Sequence, residues 1–349
     1  MTDREAKQFM AAGHTNYEFF TFKYLQHKYP DALFVTAEPG GPAGCTEAYS
    51  KNKQPKYSTL RDQRECSQFI WECIGCCTSG QQCPILRPYK STVSKVGKDC
   101  CSVDTVPTKE TCQLLMPSRF WARFIANKQY ADVRFVIARL SLIFRWYEQT
   151  SSRHSHNAKG EKVIHANVLI FDKHTKTLRR FEPYGAELYL SELEKKTKIT
   201  DLHEYTKRSP KKNGGNQCVL NKTVQFHNSL NRTLEEWLPK NWSFMGPEET
   251  SPVLGVQYWQ ELEPKFKKQY THVLKGPVGG GFCATISAWY TDQFLAYANT
   301  KSNLENEWLA RFLDEYQRNK QWQQNSLLTC IMEDYTKQVV SFAKDLKYI

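Results

Sequence analysis

Residues 165–185 read HANVLIFDKHTKTLRRFEPYG. Two runs, VLIF and LRRF, flank the polar letters DKHTKT, a pattern that predicts two antiparallel strands joined by a short turn. His165 opens the first strand and Glu182 closes the second. A two-residue turn sets His165 directly opposite Glu182, whereas a three- or four-residue turn sets it opposite Pro183 or Tyr184. In each case an imidazole lies beside a carboxylate at the open end of a hairpin.

An imidazole next to a carboxylate is half of a nucleophilic site, because the acid orients the base. A His or Glu at the end of a strand often serves only the solubility of the protein, so the hairpin alone does not establish catalysis. Asn167, two residues after His165, lies on the same face of the strand. It has two interpretations, an assisting residue or a polar residue of an edge strand, and the second is the simpler one.

Cys283 is the candidate nucleophile, and it follows a glycine-rich segment. Residues 276–298 read GPVGGGFCATISAWYTDQFLAYA. The glycines allow a tight turn and a close approach to a substrate, and the apolar residues after Cys283 recur at helical spacing. A cysteine at the first turn of a helix has a lowered pKa, because the unpaired N–H groups there favour the thiolate. The alternative is a buried structural thiol, although a plain core helix does not require the preceding glycines.

These motifs carry a resemblance to a known family. The stretch from His165 to the FEPYG motif resembles the hairpin of the adenovirus endopeptidase, and the separation of 17 positions between His165 and Glu182 matches that family. The order His, acid, Gln, Cys is shared with the peptidases that process ubiquitin-like proteins. The closest similarity is to predicted thiol peptidases of large DNA viruses, and it covers about residues 130–300. The resemblance implies that Gln257 donates a hydrogen bond to the oxyanion, with Gln260 and Gln269 as rival donors.

The resemblance implies an α+β fold of the papain-like cysteine peptidase type, in the adenovirus endopeptidase form. In that fold a central, mostly antiparallel sheet packs against a helix that carries the nucleophile at its N-terminus. We expect a Cys-rich N-terminal extension over residues 1–120, the peptidase core over 121–300 and a helical tail over 301–349. The helical pattern of 303–347 predicts a segment that either caps the core or docks on a partner.

The implied function is a viral cysteine peptidase that cleaves peptide or isopeptide bonds, in virion maturation or in removal of ubiquitin-like modifiers. Its site is His165, Glu182, Gln257 and Cys283, and no cofactor or metal is expected. The alternative is a virion-associated structural or minor capsid protein built on the same fold. The expected partners are a protein substrate or other virion proteins, and the expected location is the virion or the host cytoplasm.

Composition adds little to this reading. The net charge is +12, and basic residues concentrate at 194–212. This segment is either a solvated surface or a weak contact for nucleic acid or an acidic capsid surface. The longest apolar block, residues 133–144, is too short to span a membrane and contains Arg139. It predicts a long central strand, and we expect a soluble protein with no membrane span and no signal peptide.

The cysteines form a cluster near the N-terminus. Nine of the 12 lie between Cys45 and Cys112, and Cys73 with Cys76 forms the one CxxC pair of that cluster. The adjacent pairs at 76–77 and 100–101 favour disulfides over a zinc site, with reduced thiols as a further alternative. Disulfides are unusual in the cytosol, but virions of large DNA viruses, which the resemblance implies, are a plausible exception. A zinc-dependent nucleic-acid binder is the weakest interpretation, since it rests only on the charge and on this CxxC pair.

Overall fold

A computed structural model describes residues 15–35, 46–49, 68–77, 112–117, 119–148, 161–185, 217–251, 283–300 and 327–345. These residues form a mixed α/β structure in which helices cover a curled, half-barrel sheet. The strands are β1 Ala32–Phe34, β2 Thr46–Tyr49, β3 Phe69–Cys77, β4 Cys112–Pro117, β5 Phe135–Glu148, β6 Glu161–Asp172, β7 Thr177–Phe181 and β8 Ser243–Met245. The α-helices are α1 Thr15–Lys28, α2 Gln217–Trp237, α3 Pro247–Thr250, α4 Cys283–Thr300 and α5 Leu327–Asp345. A π-helical turn, Trp121–Ile125, and a 3₁₀ turn, Lys128–Tyr130, precede β5.

The sheet is mixed, with four antiparallel and three parallel strand pairs among the described residues. Its order is β2-β4-β3-β5-β6-β7-β8, and β1 pairs with β5 beside this path. The β2–β4, β3–β4, β5–β6 and β6–β7 pairs are antiparallel, whereas β1 and β3 run parallel to β5, and β7 runs parallel to β8. Parallel pairs require long crossovers, so they join segments that are distant in sequence and that a local pattern does not connect.

The predicted central strand is confirmed as β5, which starts two residues after the apolar block at 133–144 begins. It pairs along one edge with β6 and along the other edge with β1 and then β3. Phe135, Val136, Ile137, Ala138 and Leu140 are all buried. A strand that is buried on both faces is expected to read as a continuous apolar run.

The predicted hairpin is confirmed as β6 and β7, joined by the four-residue turn 173–176. Asp172 shapes this turn, because its Oδ1 accepts hydrogen bonds from the backbone N–H groups of His174 (2.9 Å) and Thr175 (3.4 Å). Lys176 closes it in the left-handed region, with φ of 53°. The turn sets Asp172 opposite Thr177 and Val168 opposite Phe181.

Two apolar cores lie on the two faces of the sheet. On one face α1, α4 and α5 pack against the sheet, and the apolar stripe predicted after Cys283 lies in this core. Its buried members are Ile286, Trp289, Tyr290, Phe294 and Leu295. On the other face α2 and the aromatic residues around Trp121 and Trp237 pack against Leu169, Phe171 and Leu178. Alternate residues of β6 and β7 therefore contribute to opposite cores, as strand geometry requires.

Described segments before residue 120 and after residue 300 contribute to the same sheet and core as β5. Strands β1, β2, β3 and β4 come from the first 120 residues, yet they hydrogen-bond within the same sheet as β5. After residue 300, α5 buries Tyr335 and Val339 in the core that α4 forms. Lys28 and Tyr29 also bind Asp292 of α4 through their side chains. No helix within the described ranges is both long and apolar enough to cross a bilayer.

Candidate active site

Glu182 is positioned by a turn that explains the FEPYG motif. It directly follows β7, and the N–H of Gly185 donates to the Glu182 carbonyl (2.9 Å), which closes a turn over residues 182–185. Pro183 suits the second position of such a turn, and Gly185 adopts φ of 99°, which favours glycine. The N–H of Tyr184 donates to Glu182 Oε1 (3.1 Å). The turn therefore aims the carboxylate as well as ending the strand.

His165 and Glu182 are in direct contact. The Nε2 atom of His165 lies 2.5 Å from Glu182 Oε1, and both side chains are buried. The β6–β7 register, continued past Phe181, sets Asn167 opposite Glu182 and His165 opposite Tyr184. This is the arrangement expected for a four-residue turn, and the ring of Tyr184 lies 5.0 Å from that of His165. The imidazole reaches diagonally across the hairpin to the carboxylate.

Cys283 is the first residue of α4, as the sequence predicted, and its sulfur meets the hairpin. The backbone N–H of Ala166 donates to Cys283 Sγ (3.3 Å), and the thiol and the His165 imidazole hydrogen-bond to each other. Because Glu182 contacts Nε2, the Nδ1 atom of His165 is the nitrogen that can face the sulfur. One turn along α4, Ser287 Oγ donates to the carbonyl of Ala166 (3.4 Å). These contacts fix the start of α4 against β6 next to the end of β7.

Charge at the site favours an ion pair between the sulfur and the imidazole. Burial alone would lower the pKa of His165, but the carboxylate of Glu182 and hydrogen bonds to Cys283 and Glu182 raise it. Burial alone would raise the pKa of Cys283, but His165, the N–H of Ala166 and the charge of Arg139 lower it. Both shifts favour proton transfer from sulfur to nitrogen.

A buried polar network, which includes residues that the sequence analysis did not identify, continues behind Glu182. Asn167 Nδ2 donates to Glu182 Oε2 (3.1 Å), so Asn167 is a buried part of the site and not a polar residue of an edge strand. Arg180 has no exposed surface, and its guanidinium donates to Asn167 Oδ1, Asn231 Oδ1, Glu182 Oε2 and His227 Nδ1. The spacing of Arg180 and Glu182 was a usable signal, because residues two apart on a strand share a face. His227 and Asn231 of α2 left no local signal.

Two contacts hold the backbone of β7 beneath this network. The N–H of Glu182 donates to Ser251 Oγ (3.0 Å), and Thr250 Oγ1 donates to the carbonyl of Arg180. Thr250 ends α3 and Ser251 follows it. The short helix therefore anchors the strand end from which both charged side chains project.

A small cavity lies near the start of α4, between α1, α4, β5 and β6. Its volume is about 20 Å³, and its lining includes Arg139, Ala166, Asn167, Ala284 and Ser287. This space holds about one water molecule and is far too small for a peptide. The cavity is therefore not a substrate cleft.

The remaining predicted donors, Gln257, Gln260 and Gln269, lie outside the described residues. The described part of the chain brings three of the four predicted site residues together: His165, Glu182 and Cys283. It contains no group of three or more His, Cys, Asp or Glu side chains that could hold a metal ion. No protein-family model, curated protein or solved structure matches this chain.

Proposed function

We propose that this chain is a cysteine peptidase in which Cys283 is the nucleophile, His165 transfers the proton and Glu182 orients His165. The observation that carries the proposal is the unbroken series of buried contacts from the sulfur through the imidazole to the carboxylate. Its members come from β6, the turn after β7 and the start of α4. Nucleophilic catalysis requires a thiol, a base and an orienting acid in this order.

The proposed reaction is hydrolysis of a peptide or isopeptide bond. The Cys283 thiolate attacks the carbonyl carbon, and the C–O electron pair moves to the oxygen. When the C–N bond breaks, imidazolium His165 gives its proton to the leaving amine, and a thioester forms. Neutral His165 then takes a proton from water as the water oxygen attacks the thioester. The C–S bond breaks with its electrons on the sulfur, which restores the ion pair and releases the acid.

The oxyanion requires hydrogen-bond donors near the sulfur. Cys283 begins α4, and helix N-termini favour negative charge, so its backbone N–H is the first proposed oxyanion donor. Gln257 is the second proposed donor, on the basis of the family resemblance. Loss of one donor in such a site typically lowers the rate by about 10²–10³-fold.

The energetics of the network favour an enzyme over a capsid protein without catalytic activity. Each buried ion costs several kcal/mol of desolvation, and well-packed apolar residues of similar volume are often as stable or more stable. His165, Arg180 and Glu182 are all buried here. A purely structural protein gains little from such a cluster, whereas an activated thiol needs it.

The same proposal covers the finer fold and the biological role. A sheet packed against a helix that begins with the nucleophile is the arrangement that the resemblance implies for papain-like peptidases of the adenovirus endopeptidase type. The proposed substrates are virion proteins or proteins joined to ubiquitin-like modifiers, in the virion or the infected cell. The described residues support the catalytic assignment, and the resemblance alone supports these substrates.

A covalent probe tests the catalytic assignment. A peptide vinyl sulfone that labels cysteine peptidases should react with the wild-type chain and with Cys330→Ala, a control outside the N-terminal cluster. Cys283→Ala should lose the label while it keeps the wild-type circular dichroism spectrum. Labelling that survives Cys283→Ala and maps to a cysteine of the N-terminal cluster would show that the nucleophile is assigned wrongly.

A further inference from the structure

We propose that Arg180 is a positioning residue that holds Glu182 ionised and turned toward His165, and that α2 completes this support through His227 and Asn231. This inference rests on the proposed function, since it concerns how the same site is maintained. It adds a layer of residues that do not touch a substrate and that act through Glu182.

Arg180 donates four hydrogen bonds through the three nitrogens of its guanidinium. Nε donates to Asn167 Oδ1 (2.8 Å) and Nη1 donates to Asn231 Oδ1 (2.6 Å). Nη2 donates to Glu182 Oε2 (3.3 Å) and to His227 Nδ1 (2.9 Å). A guanidinium is a planar fork with five donors, and the single ammonium of a lysine does not reproduce it. The site therefore requires an arginine and not merely a positive charge.

Asn167 forms a second, indirect link between the Arg180 guanidinium and the Glu182 carboxylate. Its Oδ1 accepts from Arg180 while its Nδ2 donates to Glu182 Oε2 (3.1 Å). Glu182 Oε2 thus has two donors behind it, and Oε1 points to His165 Nε2. Rotation of the carboxylate away from the imidazole would break both rear contacts together.

The permanent charge of Arg180 matters because the charge of His165 changes during the proposed reaction. After His165 gives its proton to the leaving amine, it is neutral and no longer compensates Glu182. A buried carboxylate without a cation would take up a proton and stop orienting the imidazole. Arginine does not lose its proton in proteins, so Arg180 keeps Glu182 ionised in both halves of the cycle.

His227 must be neutral to take part. Arg180 can only donate, so the Nδ1 of His227 is an acceptor and its ring proton lies on Nε2. Burial and the charge of Arg180 lower the pKa of His227 to about 3, in agreement with this tautomer. His227 and Asn231 are four residues apart on α2 and face the sheet together. Packing of α2 on the sheet therefore holds the guanidinium from behind.

The test measures how fast Cys283 is alkylated by iodoacetamide as a function of pH, followed by mass spectrometry of the peptide that contains Cys283. Arg180→Lys is compared with Arg179→Lys, a matched control. Arg179 is also buried, but it lies on the other face of β7, with its guanidinium 5.6 Å from the ring centroid of Phe294. Wild type and Arg179→Lys should react fast at about pH 6. Arg180→Lys should be about ten-fold slower there for each unit by which the pKa of Cys283 rises, and should match wild type above about pH 9.

A second pair of variants covers the case in which Arg180→Lys does not fold. His227→Leu removes the acceptor for Arg180, whereas His227→Asn places an amide oxygen near the position of Nδ1. At about pH 6, Cys283 should be alkylated more slowly in His227→Leu than in wild type. In His227→Asn the alkylation rate should be largely restored. Equal profiles for these two variants, or for Arg180→Lys and Arg179→Lys, overturn the positioning role. If Cys283 of the wild-type chain reacts like an ordinary thiol, the proposed peptidase function fails as well, so the two failures are distinguishable.

Discussion

Glu182→Gln is the most informative single change in this molecule, because it removes a charge and alters almost no volume. Within the described residues the Glu182 carboxylate accepts four hydrogen bonds. Oε1 accepts from His165 Nε2 and the N–H of Tyr184, and Oε2 accepts from Asn167 Nδ2 and Arg180 Nη2. A glutamine has one oxygen and one NH₂ group. In either orientation its NH₂ group faces two donors, so this site cannot accommodate an amide.

The expected effect on stability follows from these contacts. Two buried donors lose their acceptor, at about 1–3 kcal/mol each, and the buried charge of Arg180 loses its carboxylate. Breaking a buried ion pair from one side typically costs about 3–5 kcal/mol, so we expect the free energy of unfolding to fall by about that amount. The imidazolium of His165 also loses its stabilising charge, and we expect peptidase turnover to fall by up to about 10⁴-fold, the loss known for an acid-to-amide change in a catalytic triad.

Urea unfolding followed by tryptophan fluorescence measures the change in the free energy of unfolding. The alkylation rate of Cys283 measures how far its thiol is activated. Glu235→Gln is the control, because it makes the same chemical change at an exposed position of α2, where about 0.5 kcal/mol or less is expected. A free energy of unfolding within about 1 kcal/mol of wild type, together with an unchanged alkylation profile, would refute the reasoning. It would mean that the carboxylate is neither ionised nor paired in the folded chain.

The remaining predictions concern pH and the cysteines. The folded chain holds His227 neutral down to about pH 3, whereas the unfolded chain protonates it near pH 6.5, so stability falls on acidification between these values. His227→Asn should therefore reduce the pH slope of the unfolding free energy between about pH 5 and 6.5, by up to about 1.4 kcal/mol per pH unit; an unchanged slope in urea unfolding would contradict a neutral, buried imidazole. Intramolecular disulfides stay the prediction for the cluster from Cys45 to Cys112, in which the β3–β4 register sets the backbones of Cys73 and Cys112 opposite each other. Mass counting of alkylated thiols before and after reduction checks this, and one zinc per chain with free thiols would contradict it.

The parts of the fold that could be predicted from the sequence are those set by local patterns. Two short runs, VLIF and LRRF, on either side of a polar turn identified the hairpin after His165, and the apolar run from 133 identified the central strand β5. The glycine-rich segment before Cys283 and the helical spacing of the apolar residues after it located the start of α4 at Cys283. Each of these signals extends over about 20 residues or fewer, within which side-chain periodicity decides between strand and helix.

The parts that could not be predicted depend on contacts between distant segments. The parallel pairing of β3 with β5 joins residues 69–77 to 140–148, which no local sequence pattern connects. Similarly, nothing near Arg180 in the sequence points to His227 or Asn231, because α2 reaches the network through tertiary packing. The function of Asn167 could not be predicted for the same reason, since its side-chain partners Arg180 and Glu182 come from the next strand and its end. Local propensity does not encode such partners.

The position of the site depends on a turn that lies far from it. Asp172 shapes the turn, and His165 lies seven residues earlier on β6, roughly 23 Å away at the usual rise of a strand. Because side chains alternate between faces, a shift of one residue in the pairing would move Arg180 and Glu182 to the face that α4 covers, away from His165 and α2. The four-residue turn therefore sets which side chains meet at the open end of the hairpin. The two polar side chains of β6 and the two of β7 then form one network, and α2 and α4 each meet it from a different side.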